Sequence, residues 1–245
     1  MDNLKKYIDR KARYIILKSH QYTTRDGLIY GDLKYGGGNS KLIFLAGYAA
    51  SGKSTMSEKF KKKGYHIIST DEVIKYELIP MFVGKIEGQR LFSVQLYDDK
   101  YSGDKVWVAA REKFLEILKN KVEEGMNKYG KVLVEGQLRI RKDIRFIFGE
   151  DDDFALHYVM PASIESYADR MTSRVLHDPD RYGRLANLKS RDKDGSLRKD
   201  LLENGKDGEL WRPFIMQVSK ELFHKHQRGA DELIDAGFEV KIFKN

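Results

Sequence analysis

Residues 47–55 read Gly-Tyr-Ala-Ala-Ser-Gly-Lys-Ser-Thr, directly behind the apolar run Leu42-Ile43-Phe44-Leu45-Ala46. The spacing G-x-x-x-x-G-K-[ST] is that of a loop whose backbone N–H groups wrap a phosphate. The run in front predicts a buried parallel strand, and the residues behind Ser54 suit a helix. The motif therefore falls at a strand-to-helix turn, where the helix N-terminus also favours an anion. In that setting Gly47, Ala50, Ser51, Gly52 and Thr55 form the cradle. Lys53 can reach the β- and γ-phosphates, and the Ser54 hydroxyl can hold Mg²⁺. The expected ligand is ATP or another nucleoside triphosphate, with Mg²⁺.

Outward from the loop, strands and helices alternate. Further strands are predicted over 65–69, 131–135, 155–160 and 238–243, with 232–234 as an alternative for the last. Helices are predicted from Lys53 to about 62, from about Asp71, over about 105–126, from a Ser163 cap to about 176, and from about Pro213 to 229. Such alternation implies a parallel sheet covered by helices on both faces. The polar stretch 177–208 is too long for an ordinary connector and predicts a mobile lid. Residues 80–104 carry Lys85, Gln89, Arg90, Phe92, Tyr97, Lys100 and Tyr101. That interleaving of basic and aromatic residues marks them as an acceptor-binding region that can stack bases and hold phosphates, or as a helical substrate cap. The core domain is placed at 39–245. Ahead of it, 1–38 reads as an extension, with a basic amphipathic helix over 2–18, a short extended segment over 28–35 and a break at Gly36-Gly37-Gly38.

The chain has 245 residues, 41 % hydrophobic and 33 % charged, which fits a soluble α/β domain with additions. No apolar run approaches a membrane span, and no signal peptide is visible at the N-terminus. There is no cysteine, so disulfides and thiolate chemistry are excluded and a cytoplasmic setting is expected. The net charge of +8 favours a polyanionic partner such as nucleic acid. No membrane partner is expected, and nothing in the sequence sets the oligomeric state.

Three further places can carry chemistry. The second strand ends in Ser69-Thr70-Asp71-Glu72, where a parallel sheet forms its ligand crevice. The Asp71 carboxylate can take a proton from an attacking hydroxyl or hold a metal-bound water, unless it only caps the next helix. The third strand ends in Glu135-Gly136, like a Walker B element whose acid serves Mg²⁺, and Gly136 would let the backbone approach a ligand closely. After the fourth strand, Arg170 and Arg174 share a helix face, and Arg181 and Arg184 follow. Such arginines can set positive charge against a transferring phosphoryl group. The six histidines show no metal spacing. His66 reads as structural, and His224 and His226 diverge on a helix.

Together, G-Y-A-A-S-G-K-S-T, S-T-D-E, V-L-V-E-G and the R-M-T-S-R helix resemble the P-loop kinase group. That group includes nucleoside and nucleotide kinases, polynucleotide 5′-hydroxyl kinases and zeta-toxin-like kinases. The resemblance spans about residues 41–243 and implies a three-layer α/β fold with a five-stranded parallel sheet in order 2-3-1-4-5. It maps the hydroxyl-activating role onto Asp71 and the lid-arginine role onto Arg170 and Arg174, with Arg181 or Arg184 also eligible. The extension, Glu in place of Asp at 135, and the 80–104 segment depart from the pattern. The expectation is ATP-dependent γ-phosphoryl transfer to a nucleic-acid hydroxyl, either a DNA 5′-hydroxyl or a hydroxymethylated base such as hydroxymethyluracil. The alternatives are a kinase of a nucleoside, nucleotide or sugar, and a nucleic-acid-dependent ATPase.

Overall fold

Strand β1 (Leu42–Ala46) is buried along its whole length. Its alternate residues feed two different cores. Leu42, Phe44 and Ala46 join one apolar cluster, and Ile43 and Leu45 join another. A strand buried on both faces reads as a continuous apolar run, which is why β1 shows no polar alternation. The computed structural model describes residues 40–82, 96, 103–138, 140–150, 153–183, 185 and 187–244. The expectations for the 1–38 extension, and for most of the 80–104 segment, lie outside those residues.

Helix α1 (Lys53–Lys61) follows the loop, and β2 (His66–Ser69) follows α1. A short α2 (Thr70–Val73) passes through a π-helical turn (Ile74–Leu78) into α3 (Ile79–Met81). Next come α4 (Lys105–Tyr129) and β3 (Val132–Gly136). After these come α5 (Arg141–Phe148), β4 (Ala155–Met160) and α6 (Ile164–His177). The chain continues through α7 (Leu188–Arg191), α8 (Ser196–Asn204) and α9 (Trp211–Asp235) to β5 (Val240–Lys244). The five strands pair in parallel in the order β2-β3-β1-β4-β5, as the resemblance implies. This is the P-loop kinase-like fold. No helix among the described residues is long and apolar enough to cross a membrane.

Local chemistry sets the helix starts. The Asp104 side chain accepts the N–H groups of Val106 and Trp107 at the head of α4. At α6, Ser163 and Ser166 exchange side-chain and backbone hydrogen bonds in a capping box. Helix α5 was not expected from the sequence. Its apolar face consists of Ile144, Ile147 and Phe148, and its charged residues disguise the period. Buried Asp143 accepts Arg111 of α4 at 2.7 Å, which ties α5 to its neighbour.

Among its described residues, the stretch 177–208, expected as a lid, carries a series of short helices. Tyr182, Leu188 and Leu201 are buried with Trp211 in a third core against α6 and α9. Its aspartates work internally. Asp192 accepts the Tyr182 hydroxyl at 2.7 Å and the N–H groups of Leu197 and Arg198 at 3.1 and 2.9 Å. Asp200 accepts the N–H groups of Leu210 and Trp211 at 3.0 and 2.7 Å, at the start of α9. Part of the polarity that read as loop is therefore helix capping, which burial rewards.

Two buried histidines make the fold acid-sensitive. His157 lies between Phe60 and Phe243, with ring centroids at 5.7 and 5.0 Å. Burial lowers its pKa to about 3, with Lys241 adding to the effect. Burial also lowers His226 to about 3, and Lys53 and Arg170 push the same way. The unfolded chain holds these protons from about pH 6.5 downward and the folded chain does not. Stability should be complete above that pH and fall as pH drops toward 3, by up to about 1.4 kcal/mol per pH unit for each ring. Urea midpoints measured at pH 7, 6 and 5 check this. His157→Phe should flatten the slope, and an unchanged slope would remove His157 from the account.

Candidate active site

The parallel register brings three strand ends to one edge. Glu135 pairs with Leu45 and with Ser69, so the ends of β1, β2 and β3 stand side by side. The phosphate loop leaves β1 there, and Asp71 leaves β2 there.

The loop itself has the conformation of an anion nest. Ala50 and Gly52 take left-handed φ values of 63° and 101°, and Gly47 has φ 145°. Alternation of left- and right-handed residues turns successive N–H groups toward one concavity. The outward carbonyls are tied down. Gly47 O accepts Lys53 Nζ at 2.6 Å and Gln137 Nε2 at 3.3 Å. Tyr48 O accepts Lys53 Nζ at 2.9 Å and the Ser51 N–H at 3.3 Å. Ala49 O accepts the Tyr167 hydroxyl at 3.0 Å. Ser51 O accepts Arg170 Nη1 at 3.1 Å. With these carbonyls engaged, the N–H groups of the nest remain to meet an anion.

Lys53 is the electrostatic centre of this edge. Burial lowers its pKa to about 8, the carboxylates of Asp71 and Glu135 oppose that shift, and Arg174 reinforces it. The two acids thus favour the ammonium and Arg174 disfavours it. Glu135 is held in place by the Ser57 hydroxyl, which donates to Oε2 at 2.5 Å from one turn beyond Ser54. Asp71 is exposed in the first turn of α2. It does not cap that helix, whose N-cap is Ser69 and which has no side-chain cap bond. Ser54 and Thr55 are exposed at the head of α1.

Arg170 and Arg174 stand on one face of α6, as the spacing predicts. Burial and their mutual repulsion lower the pKa of Arg170, and burial with repulsion from Arg181 lowers that of Arg174. Arg170 touches the loop directly. Arg174 has no hydrogen-bond or ion-pair partner among the described residues. Arg181 lies further out, in an exposed ion pair with Asp178 at 3.0 Å. Arg184 lies outside the described residues.

One expectation is corrected. Gly136 read as a place where backbone could approach a ligand, but its open face is filled by the buried Thr70 side chain, which a Cβ at 136 would overlap. That packing pins the end of β3 to the start of α2 and fixes Asp71 relative to Glu135.

Sequence reasoning passed over Gln137, Tyr167 and Ser57, and set His226 aside for want of a metal spacing. The first three carried a signal. Gln137 follows the Glu-Gly pair, Ser57 lies three residues after Ser54, and Tyr167 lies three before Arg170, so the last two share a helix face with a candidate.

Among the described residues no group of three or more His, Cys, Asp or Glu forms a metal cluster. Ser54, Asp71 and Glu135 offer hard oxygens of the kind Mg²⁺ accepts.

No protein-family model matches the chain, and no curated protein matches it. Solved structures with a similar fold include a dephospho-CoA kinase from Campylobacter jejuni, 14 % identical, with 84 % of this chain and 89 % of that chain covered and a TM-score of 0.38. A gluconokinase from Sinorhizobium meliloti is 18 % identical over 80 % of this chain and 96 % of that chain, with a TM-score of 0.34. A structure of the PezAT toxin-antitoxin system of Streptococcus pneumoniae is 16 % identical over 94 % of this chain and 96 % of that chain, with a TM-score of 0.30.

Proposed function

We propose that this chain, which has the P-loop kinase-like fold, is an ATP-dependent kinase that phosphorylates a hydroxyl of a small molecule. The observation that carries the reading is that Glu135 and the strand end leading into Asp71 stand at one sheet edge with the phosphate loop and Lys53, the loop being in the anion-nest conformation. A phosphate binder needs only the nest and the lysine. The exposed, uncapping carboxylate at Asp71 adds a proton acceptor.

In this scheme the acceptor oxygen attacks the γ-phosphorus as the bond to the β-phosphate bridging oxygen breaks. ADP leaves, and the hydroxyl proton passes to Asp71. Lys53 and the loop N–H groups hold the β- and γ-oxygens, while Arg170 and Arg174 supply charge to the equatorial oxygens. Ser54, with Glu135, would hold Mg²⁺, which leaves Asp71 free to take the proton. When bound, that ion neutralises charge developing between the β- and γ-phosphates.

A small acceptor is favoured over a nucleic acid by the distribution of charge. Residues 1–39 hold eight Lys and Arg against four Asp and Glu, so half of the net charge of +8 lies ahead of the described residues. The basic balance that favoured a polyanion is therefore split evenly, and residues 40–245, which carry the site, hold only half of it. Labelled ATP with Mg²⁺ and a panel of nucleosides, nucleotides, sugars, 5′-hydroxyl oligonucleotides and hydroxymethyluracil DNA tests the reading. Label on small molecules is expected. Label on DNA alone would overturn the acceptor assignment, and turnover without any acceptor would point to an ATPase.

The lysine makes a pH prediction. The phosphate-binding form of Lys53 is the ammonium, which is lost as pH rises through about 8 in the free protein. ATP affinity measured by calorimetry should therefore decline above pH 8, approaching tenfold per pH unit. Constant affinity up to pH 10 would show that Lys53 does not bind the phosphates as a cation.

A further inference from the structure

Helix α9 does not supply any residue to the phosphates in the scheme above, yet it touches the phosphate loop. The His226 ring is fully buried, and it packs edge-on against two tyrosines. Its centroid lies 5.2 Å from that of Tyr48 at 77°, and 5.1 Å from that of Tyr167 at 88°. Tyr48 is the second residue of the phosphate loop. Tyr167 donates its hydroxyl to Ala49 O of the same loop and lies one turn before Arg170 on α6. Three residues after His226, on the same face of α9, Gly229 leaves room for the Tyr48 ring. A Cβ at 229 would stand 2.8 Å from Tyr48 Cε2 and 2.6 Å from the Tyr158 hydroxyl.

An imidazole is a costly choice for such a position. Among the described residues neither His226 nitrogen has a hydrogen-bond partner, and leaving buried polar atoms unsatisfied destabilises a fold. Nearby Lys53 and Arg170 further disfavour its protonated form. The ring is thus held neutral within electrostatic range of two site cations, against the loop that Lys53 hydrogen-bonds.

We propose that His226 and Gly229 are positioning residues, forming a seat on α9 that fixes Tyr48 and hence the phosphate loop relative to the arginine-bearing helix α6. Moving the Tyr48 ring moves its carbonyl, which anchors Lys53 Nζ at 2.9 Å. The seat thereby sets where the lysine and the loop N–H groups meet a triphosphate. Tyr167 closes the arrangement from the other side, because its ring touches His226 and its hydroxyl holds the loop. This inference rests on the triphosphate-binding reading of the loop and extends it to a helix outside the motif.

The test is ATP binding by calorimetry, with thermal melting of each variant as a control. His226→Ala removes both ring contacts and should weaken ATP binding about tenfold or more. His226→Phe keeps an aromatic ring in the seat and should restore affinity to within about threefold of wild type. Gly229→Ala serves as a second variant if His226→Ala does not fold. The added methyl would also crowd the Tyr158 hydroxyl, so a purely structural glycine predicts a lower melting temperature with normal binding by the folded protein. The seat predicts a loss of about tenfold in ATP affinity, because the added methyl displaces the Tyr48 ring. Normal ATP binding by folded His226→Ala and Gly229→Ala overturns the seat alone. Equal losses in His226→Ala and His226→Phe also overturn it. Failure of the wild-type chain to bind ATP overturns both the seat and the function on which it rests.

Discussion

Lys53→Ala is expected to slow phosphoryl transfer about a thousandfold, measured as initial rate at saturating acceptor. Removing one preorganised donor from a developing charge costs on the order of 10²–10³ in rate in other enzymes. Lys53 should sit at the upper end, because phosphoryl transfer depends almost wholly on positioning and electrostatics. Neither arginine can replace it. Arg170 is engaged with Ser51 O and Ser166 O, and Arg174 projects from α6, a separate element. The fold should survive the change, because burial already works against the ammonium and the loop carbonyls keep donors from Gln137, Tyr167 and Ser51. A variant with a near-native melting temperature and a wild-type rate would remove Lys53, and with it the loop, from the chemistry.

The loop and its flanking elements were legible because their determinants are local. Leu42–Ala46 is apolar at every position, and Ser163 announces α6. The strand ends carrying Asp71 and Glu135 could be read the same way, since a parallel sheet forces its functional residues to one edge. What the sequence concealed depends on tertiary partners. Helix α5 has a narrow apolar face whose worth comes from the groove against α4 and β1. The aspartates at 192 and 200 look like loop residues until the helix ends they cap are in view. His226 gave no sign at all, since its meaning lies in Tyr48 and Tyr167, far away along the chain. Gly136 misled for a related reason. A glycine after a strand-end acid invites a ligand reading, and only the fold shows Thr70 filling the space.

Asp71→Asn is expected to lower kcat by about 10²–10⁴, the range a general base contributes, while leaving ATP affinity near wild type at neutral pH. Asparagine keeps the shape of the side chain and cannot take the hydroxyl proton. The exposed carboxylate caps no helix, so the loss should not register as instability. A competing explanation is that Asp71 matters only by keeping Lys53 charged, since its carboxylate raises the Lys53 pKa. The two roles separate by pH. Without Asp71 the lysine deprotonates at a lower pH than about 8, so the alkaline decline in ATP affinity should move down in the variant. If charge support were the whole role, lowering the pH would reprotonate Lys53 and restore kcat as well as affinity. If Asp71 is the base, affinity returns at lower pH and kcat does not. Full recovery of turnover by acidification would therefore move Asp71 from proton acceptor to electrostatic support, and persistent loss with normal ATP binding would fix it as the base.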